Sequence, residues 1–407
     1  MKKSTLTMFS ACLMLSACLS FSCSKKEKPT PPEPEPEKPI KEEPKPLIEE
    51  KDITSLATLF VSTENQFGKA SKEGSPKLID NDKATKYLIQ SYTPAFYIQF
   101  SFAEPKLIAS YAFTSGDDAD GRDPENWTVT GSLDGSTWVQ LDKQDYEFFP
   151  ERTQTKRYYF VNPTAYKYYR VNITGIRGGG LFQLSELRLF QMPSNLQKVL
   201  PFSTTETITA GKNTLIFVNK SNLLTLPVKN GLINVFKENY QRMADLYNPD
   251  AKTKVVFVVD AAYEGVAAAF GGAVIRYDPD WFVSNPTDLD VATHELMHVV
   301  QSYPYVADAG WVTEGIADYV RFTHGLTNPV AKWTLPAFSS NQSYKDAYRV
   351  TARFFLWLEK NGYEGIVIKL DKSMRTAAYT TGTFWPANTG KTVDQLWADY
   401  AANPNQI

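Results

Sequence analysis

The sequence predicts a multidomain protein in which an antiparallel β-sandwich precedes an α+β domain. Residues 52–193 contain short runs of alternating apolar and polar side chains separated by turn residues, the pattern of half-buried strands. After about residue 200 the pattern changes to continuous apolar runs and then to helical periodicities. At roughly 150 residues per domain, the 407 residues suffice for two cores and an accessory segment.

The clearest strand of the first domain is 95–102 (AFYIQFSF), where every second residue from Phe96 to Phe102 is aromatic or aliphatic. Turn sequences at 134–136 (DGS) and 178–180 (GGG) separate later strand-like runs, so a β-sandwich is favoured. Those runs are 107–114, 127–132, 158–161, 166–173 and 184–190.

The second domain, 200–407, contains two apolar runs typical of strands, 254–260 (KVVFVVD) and 272–277 (GAVIRY). We expect the second run to be an edge strand to which an extended peptide adds. The first helix is predicted to start at Asn285 and Pro286. Helical periodicity covers 287–302, 312–323, 344–361 and 393–402.

Residues 1–23 have the features of a bacterial lipoprotein signal, with a basic start and an uncharged stretch that is too short to predict a membrane span. Residues 15–18 (LSAC) match a lipobox. Residues 20–23 (SFSC) match it more loosely but lie directly before a polar stretch, so either Cys18 or Cys23 would carry the lipid. We therefore expect an exported lipoprotein, anchored through lipid at the outer membrane or cell surface. The alternative is a signal peptide cleaved without lipidation.

Residues 24–51 contain 8 Pro, 8 Glu and 7 Lys and cannot bury enough apolar surface to fold, so they predict a disordered stalk. All three cysteines lie before this stalk, which excludes disulfides, thiolate ligands and a Cys nucleophile from the folded domains. The balance of 43 basic and 45 acidic side chains excludes a nucleic-acid binder that works through a basic surface.

The segment 294–298 (HELMH) has the spacing of a zinc-binding helix. Positions i and i+4 lie on one helix face, so His294 and His298 can reach one ion while Glu295 lies beside its open coordination position. The chain has three His in all, so a chance match around a Glu is improbable.

Two imidazoles need a third ligand, and Glu314 in 311–319 (WVTEGIADY) is the best candidate. The intervening residues allow a helix exit, a loop and a second helix. Asp318 lies one turn after Glu314, where it can accept a hydrogen bond from a ligating imidazole. The alternative is a solvated acidic helix face, which the flanking apolar residues disfavour.

These motifs resemble the plant basic secretory protein family of zinc peptidases and its bacterial relatives, over most of 200–407. The resemblance implies a thermolysin-like zincin fold, Zn²⁺ bound by His294, His298 and Glu314, and Glu295 as general base. Asp318 matches the acidic residue four positions beyond the third ligand. The residues that carry the resemblance are 294–298, 311–321, 346–356 and 391–397.

The predicted reaction needs a hydrogen-bond donor for the oxyanion of the tetrahedral intermediate besides the metal. Tyr348 is the first candidate because it lies in the matched segment 346–356. His324, Tyr319 and Tyr303 are alternatives, and Tyr348 can equally be an ordinary packed aromatic.

The first domain resembles coagulation-factor type C, or discoidin-like, domains, a jelly-roll group that includes family 32 carbohydrate-binding modules. The matching segments are 78–87 (LIDNDKATKY), 122–138 (RDPENWTVTGSLDGSTW) and 184–190 (LSELRLF).

The discoidin-like resemblance implies two further sites. Hard oxygen ligands for a structural calcium would come from Asp80, Asp82, Thr85 and Glu186; the alternative is a plain polar turn. Glycan contacts would come from Phe182, Arg177, Arg122 and Tyr92, although Phe182 can equally be packed in the rim.

Three functions therefore compete. The leading hypothesis is a surface-anchored zinc metallopeptidase whose sandwich binds glycans, so that glycoproteins are its substrates. The second is a glycan-binding adhesin with an inactive zincin fold, which the intact Glu295 argues against. The third is a zinc hydrolase of a non-peptide bond, because the motif identifies activated water better than it identifies a substrate.

Overall fold

The computed structural model describes residues 50–178, 180–192, 197 and 203–407. The predicted signal region, with Cys18 and Cys23, and the stalk through residue 49 lie outside the described residues. Both predicted folded domains belong to one compact unit. In the described part of the chain, no helix is both long enough and apolar enough to span a membrane.

The first domain is an antiparallel β-sandwich, which confirms its predicted fold class. One sheet has the order β2-β4-β9-β6-β7, the other β1-β11-β5-β8, and β10 pairs with β3. The strands are β1 Lys51–Asp52, β2 Thr58–Val61, β3 Tyr87–Ile89, β4 Tyr97–Lys106, β5 Ile108–Thr114, β6 Pro124–Ser132, β7 Val139–Gln144, β8 Thr155–Tyr159, β9 Tyr166–Ile176, β10 Phe182–Leu184 and β11 Glu186–Gln191.

The alternation of apolar and polar side chains explains which face of each strand is buried. In β4 the side chains of Ile98, Phe100 and Phe102 are buried while their neighbours stay partly exposed. Between the sheets Trp127 is fully buried, and its indole N–H donates to the Tyr111 hydroxyl at 2.6 Å. That hydroxyl donates in turn to Asp142 at 2.7 Å, so the polar groups at this point of the core are satisfied.

The second domain is α+β, as predicted, with a mixed sheet of order β12-β13-β14-β16-β15. The central strands β13, β14 and β16 are parallel, and β12 and β15 are antiparallel edges. The strands are β12 Thr204–Ala210, β13 Asn213–Asn219, β14 Lys254–Val259, β15 Ala267–Phe270 and β16 Val274–Tyr277. The helices are α1 Leu226–Tyr247, α2 Pro279–Ser284, α3 Val291–Gln301, α4 Gly310–His324, α5 Asn328–Ala331, α6 Tyr348–Lys360, α7 Ile366–Arg375, α8 Thr381–Thr389 and α9 Val393–Ala402.

Two details of the prediction for this domain are wrong. The run 272–277 contains β16, an inner strand whose four residues are all buried, and the edge beside it is the partly exposed strand β15. The zinc-motif helix starts at Val291, because Asn285 and Pro286 end the short helix α2 instead. The residue before the helix is Asp290, whose carboxylate accepts a hydrogen bond from Thr293 Oγ1 at 2.9 Å.

The two faces of the second sheet have different coverings. One face packs on α1 and α3, with Phe257, Ile275 and Leu296 in a common buried cluster. On the other face a smaller cluster of Val218, Val256, Val258 and Val274 contacts Tyr146 of the sandwich.

Arg276 crosses between the domains from this second face and is 1% exposed. Its guanidinium donates to the backbone oxygens of Tyr146 at 3.0 Å and Glu147 at 3.2 Å. The Glu147 carboxylate is ion-paired with Lys220, at the end of β13. The sandwich is therefore in direct contact with the sheet of the second domain.

Candidate active site

His294 and His298 lie one turn apart on α3, which is almost entirely buried. The helix ends at Ser302, whose left-handed backbone (φ 43°) turns the chain toward the loop before α4. Helix α4 packs against α3 and presents Glu314 in its second turn. The two helices therefore bring the three predicted ligands to one point.

The ligand atoms are close to the spacing that a tetrahedral metal requires. His294 Nε2 lies 3.1 Å from His298 Nε2, and Glu314 Oε2 lies 3.3 Å and 3.4 Å from these two nitrogens. With bonds of about 2.0–2.1 Å at tetrahedral angles, ligands of one zinc ion lie about 3.3–3.4 Å apart. Among the described residues, this is the one group of three His, Cys, Asp or Glu that can converge on a metal. The donor set of two imidazoles and one carboxylate suits zinc.

Each imidazole is held at its other nitrogen. Asp318 Oδ1 lies 2.7 Å from His294 Nδ1, as the sequence predicted. Gln301 Oε1 lies 2.7 Å from His298 Nδ1, and the Gln301 amide donates to the Thr313 backbone oxygen at 2.9 Å. Both contacts leave Nε2 free to face the ligand cluster. Gln301 was missed, although it lies three residues after His298 and therefore on the same helix face.

The carboxylates around the two imidazoles stabilise positive charge in the ligand cluster. Burial opposes a charge on His294, but hydrogen bonds to Asp318 and Glu314 outweigh it and raise the pKa of His294 to about 10. Burial acts to raise the pKa of Glu314, and its contacts with His294 and His298 nevertheless lower that pKa to about 2. Positive charge is therefore stabilised at the point where the three ligand atoms meet.

Glu295 follows His294 on α3 and is 5% exposed. It lines, with His294 and Asp318, a cleft of about 950 Å³ whose walls include Trp281 and Trp333. Tyr263 and Tyr277 lie near this carboxylate. Burial is the main cause that raises the pKa values of their hydroxyls, and the charge of Glu295 raises them further. The Tyr277 hydroxyl is buried and has no hydrogen-bond partner among the described residues. These tyrosines were not predicted.

Tyr348 borders the same cleft at the start of α6 and is 55% exposed. Its ring is nearly parallel to that of His294, with centroids 6.2 Å apart. Ala347 and Tyr348 both have left-handed backbone, with φ of 63° and 47°. A Cβ at Gly315 would lie 2.3 Å from Thr351 Cγ2, so the glycine allows α6 to approach α4 and brings Tyr348 to the cluster.

The alternatives to Tyr348 have other contacts. The Tyr303 hydroxyl donates to Asp371 at 2.8 Å, and burial raises its pKa far above the usual range. Tyr319 packs beside the buried Leu335 and Leu356. His324 is at the C-terminal end of α4, beside the Thr323 hydroxyl at 2.9 Å. Of the four candidates, Tyr348 is the one that lines the cleft with Glu295.

A second recess, of about 510 Å³, lies on the side of the cluster formed by His298, Gln301 and Glu314. The edge strand β15 contributes to both cavities: Ala267 lines the first, and Ala269 and Phe270 line the second. The exposed edge of β15 therefore runs from one cavity to the other beside the zinc-motif helix, which it contacts.

Comparison with known proteins agrees with these two domains. Residues 209–400 match the family model described as BSP, a peptidase of plants and bacteria, and residues 60–187 match the F5/8 type C domain model. The chain thus joins an F5/8 type C domain to a BSP peptidase domain. In the BSP domain the matched segment contains the whole ligand cluster, Glu295 and Tyr348.

One curated relative of the chain is a peptide-N(4)-(N-acetyl-β-glucosaminyl)asparagine amidase of Arabidopsis thaliana, 35% identical over 91 residues. The match spans 21% of this chain and 12% of that protein. Similar solved structures include a family 32 carbohydrate-binding module of Clostridium perfringens NanJ, with 14% identity, TM-score 0.30 and coverage of 35% of this chain and 99% of that one. Another is the C-terminal domain of a chitobiase from Bacteroides fragilis, with 18% identity, TM-score 0.30 and coverage of 35% and 98%.

The predicted calcium ligands of the F5/8 domain lie near one another but already have partners. Asp80 Oδ2 accepts from Lys77 Nζ at 2.9 Å and from Thr85 Oγ1 at 2.8 Å, and Asp82 Oδ1 accepts from the Ala84 N–H at 3.0 Å. Glu186 accepts from the Asp82 N–H at 3.1 Å. Burial, and then the contact with Asp80, raise the pKa of Glu186 to about 7.

The predicted glycan contacts do not form one exposed site. Phe182 is fully buried against Tyr87 and Phe96, so its prediction as a stacking aromatic is wrong; the cross-strand pairing of β10 with β3 turns the ring into the core. Tyr92 is half-buried on the Phe182 ring, and its hydroxyl donates to the Ile173 backbone oxygen at 3.1 Å. Arg122 lies 3.5 Å from Asp118.

Arg177 lies apart from the other predicted contacts, with its guanidinium against one ring of the F5/8 domain, Phe148, and one ring of the BSP domain, Phe270. Its Cζ is 4.5 Å from the Phe148 ring centroid and 4.6 Å from that of Phe270. Among described aromatics of the F5/8 domain, Phe67 is far more accessible, at 76% exposed, but nothing in its sequence context had indicated it.

Proposed function

We propose that the protein is a zinc-dependent peptidase that uses Glu295 as general base. The observation that supports this most strongly is the convergence of His294, His298 and Glu314 at mutual distances of 3.1–3.4 Å beside a buried glutamate in a large cleft. A peptidase family match over the same residues agrees with it.

Zinc, when bound by His294, His298 and Glu314, would polarise the scissile carbonyl and make a bound water acidic near neutral pH. Glu295 would accept a proton from the attacking water and would deliver it to the departing amine. Asp318 and Gln301 keep the two imidazoles oriented.

Tyr348 would donate a hydrogen bond from its hydroxyl to the oxyanion that develops on the substrate carbonyl. The charge of Glu314 is the first cause that raises the pKa of Tyr348, so the hydroxyl stays protonated at neutral pH and remains a donor. Its exposed position at the mouth of the cleft leaves it accessible to substrate.

An extended peptide would add to the free edge of β15. The sequence had suggested the run 272–277 as this edge strand. Backbone hydrogen bonds along Ala267–Phe270 would place the substrate across both cavities, with its scissile bond at the ligand cluster.

The F5/8 domain would direct this activity to glycans, so glycoproteins are the proposed substrates. The lipid anchor at Cys18 or Cys23 would hold the protein at the outer membrane or cell surface. The targeting to glycans rests on the F5/8 domain family, and the lipid anchor rests on residues 15–23 alone.

A second candidate is hydrolysis of a non-peptide amide by the same site. The matched plant protein is named for an amidase that acts on the bond between an N-acetylglucosamine and asparagine. An inactive adhesin is disfavoured because the ligand cluster and Glu295 are all in place.

The test is digestion of a peptide library and of an N-glycopeptide by the full chain with zinc, followed by mass spectrometry. We expect peptide cleavage that falls by about 10²–10⁴-fold in Glu295→Gln, since that is the usual contribution of a general base. The matched control is Glu238→Gln, an exposed glutamate on α1, which should cleave like the wild type. Release of the glycan without peptide cleavage would instead favour the amidase. The absence of both reactions would favour the adhesin.

A further inference from the structure

We propose that the F5/8 domain is a working part of the catalytic unit, because its Arg177 and Phe148 clamp the end of the edge strand β15. The clamp is defined as Arg177, Phe148 and Phe270. The inference deepens the proposed function, on which its kinetic consequence rests, whereas its structural consequence does not depend on that function.

Few hydrogen bonds within the BSP sheet hold strand β15. It has four residues, pairs on one side with β16 and leaves its other edge open. Gly265 (φ 148°) and Gly272 (φ 79°) flank it in left-handed conformations that other residues rarely adopt. A short edge strand between two such points is expected to open easily unless other contacts hold it.

Those contacts come from the F5/8 domain. The Arg177 guanidinium contacts both rings, with its Cζ 4.5 Å from the Phe148 centroid and 4.6 Å from the Phe270 centroid. The Phe148 and Phe270 centroids are 5.7 Å apart, and Tyr263 packs edge-on against Phe270 at 6.1 Å. Asp120 fixes the guanidinium from within the sandwich, at 2.6 Å from Arg177 Nη1.

The base of the clamp is rigid. Phe148 is 8% exposed, and the guanidinium of the buried Arg276 lies 4.8 Å from its ring centroid. Arg276 also binds the backbone of Tyr146 and Glu147, just before Phe148. The loop that presents Phe148 is therefore fixed on the sheet of the BSP domain.

Phe270 connects the clamp with the reaction site. It lines the recess that also contains His298 and Glu314, and its strand contacts the zinc-motif helix. Arg177 and Phe148 touch no predicted ligand, so they are positioning residues that act on substrate through β15. Losing the clamp should weaken binding of an extended substrate more than the chemical step.

The experiment is hydrogen exchange of the zinc-loaded full chain, read by mass spectrometry over residues 264–273 and over α3. In Arg177→Ala and Phe148→Ala we expect exchange over 264–273 to be faster by about tenfold, with α3 unchanged. Arg177→Lys keeps the charge near Asp120 but loses the planar stack, and should show most of this effect with less risk to folding. Arg170→Ala is the matched control, since its guanidinium lies 3.9 Å from the Tyr97 ring centroid and 4.0 Å from that of Trp138, within the sandwich.

The kinetic arm uses a cleaved library peptide. The clamp variants should raise KM several-fold and leave kcat within about twofold, while Arg170→Ala changes neither. Unchanged exchange over 264–273 in all three clamp variants overturns the inference, and so does equal loosening of α3. If the wild type cleaves no peptide, the proposed function fails, and the exchange result still decides whether the clamp orders β15.

Discussion

The ligand cluster of the BSP domain and the acidic cluster of the F5/8 domain were both predicted as metal sites, but their donors are held differently. In the BSP domain, Asp318 and Gln301 occupy the outer nitrogens of the imidazoles, and the inner atoms of His294, His298 and Glu314 face one another. In the acidic cluster, by contrast, the donors already have partners within the sandwich. Asp80 contacts an ammonium and a hydroxyl, and Asp82 caps a backbone N–H.

The elements around the donors therefore decide whether a donor set is arranged to bind a metal. Two packed helices fix the first cluster, so its three ligand atoms converge on one point. A loop holds most of the second, and its local hydrogen bonds satisfy the carboxylates. The first cluster should therefore control activity, and the second should affect stability alone.

The largest expected effect is the loss of a ligand. His298→Ala and Glu314→Gln should each lower peptide hydrolysis by at least ~10³-fold, because the activated water is lost with the ion. Bound zinc, measured by atomic emission after dialysis, should fall in parallel. Glu238→Gln provides the matched control. Full activity in a variant without zinc would show that the cluster is not the reaction centre.

The next effect concerns the oxyanion donor. Tyr348→Phe should lower kcat by about 10²-fold, the size expected for one such hydrogen bond, and retain stoichiometric zinc. Tyr305, which is 92% exposed, gives a control in Tyr305→Phe with unchanged kcat. An unaltered kcat in Tyr348→Phe would leave the parallel ring contact with His294 as packing only.

The two hydrogen-bond partners of the imidazoles, Asp318 and Gln301, should contribute to zinc affinity to different extents. Asp318→Asn removes a charged partner of His294, whereas Gln301→Ala removes a neutral partner of His298. We expect zinc affinity to fall by about 10–100-fold in Asp318→Asn and by less in Gln301→Ala, since a charged acceptor makes the stronger contact. Competition with a chromophoric chelator measures both. The reverse order would mean that geometry outweighs charge at this site.

The smallest effect belongs to the acidic cluster. The pKa of Glu186 is raised to about 7, so its protonated form is favoured in the folded state. In calcium-free buffer, its contribution to stability is full below its ordinary pKa near 4.5 and is lost as the pH rises through about 7. The melting temperature should therefore fall from pH 5 to pH 8, less so in Glu186→Gln.

Millimolar calcium at pH 8 should restore a few degrees of the melting temperature if Asp80, Asp82, Thr85 and Glu186 bind it. Peptide hydrolysis should stay the same with and without calcium. No thermal shift with calcium would mean that the cluster is a polar turn, which was the alternative interpretation of this segment.

The zinc cluster could be predicted from sequence because its signal is local. The spacing of His294 and His298 is one helical turn, and Asp318 lies one turn after Glu314, so helix geometry alone predicted which side chains share a face. The long helix α1 was missed although Val228, Leu232, Phe236 and Tyr240 repeat at helical spacing. Closer attention to that periodicity would have found it.

Features that depend on tertiary contacts could not be predicted in this way. Phe182 is buried because β10 pairs with a strand about 90 residues earlier, and nothing beside Phe182 in sequence shows this. Arg177 contacts Phe270 across the domain boundary, so its role depends on how the domains pack. The edge strand β15 has the sequence AAAF, which predicts a strand less clearly than the sequence VIRY of the neighbouring β16.

The most direct measurement of the central claim is peptide hydrolysis by the metal-free full chain as zinc is titrated in. We expect a rate near background without metal, a rise that saturates at one zinc per chain, and no comparable rise in Glu295→Gln although that variant binds the ion. A rate that is independent of zinc, or a zinc-saturated wild type that hydrolyses no peptide bond, would contradict it.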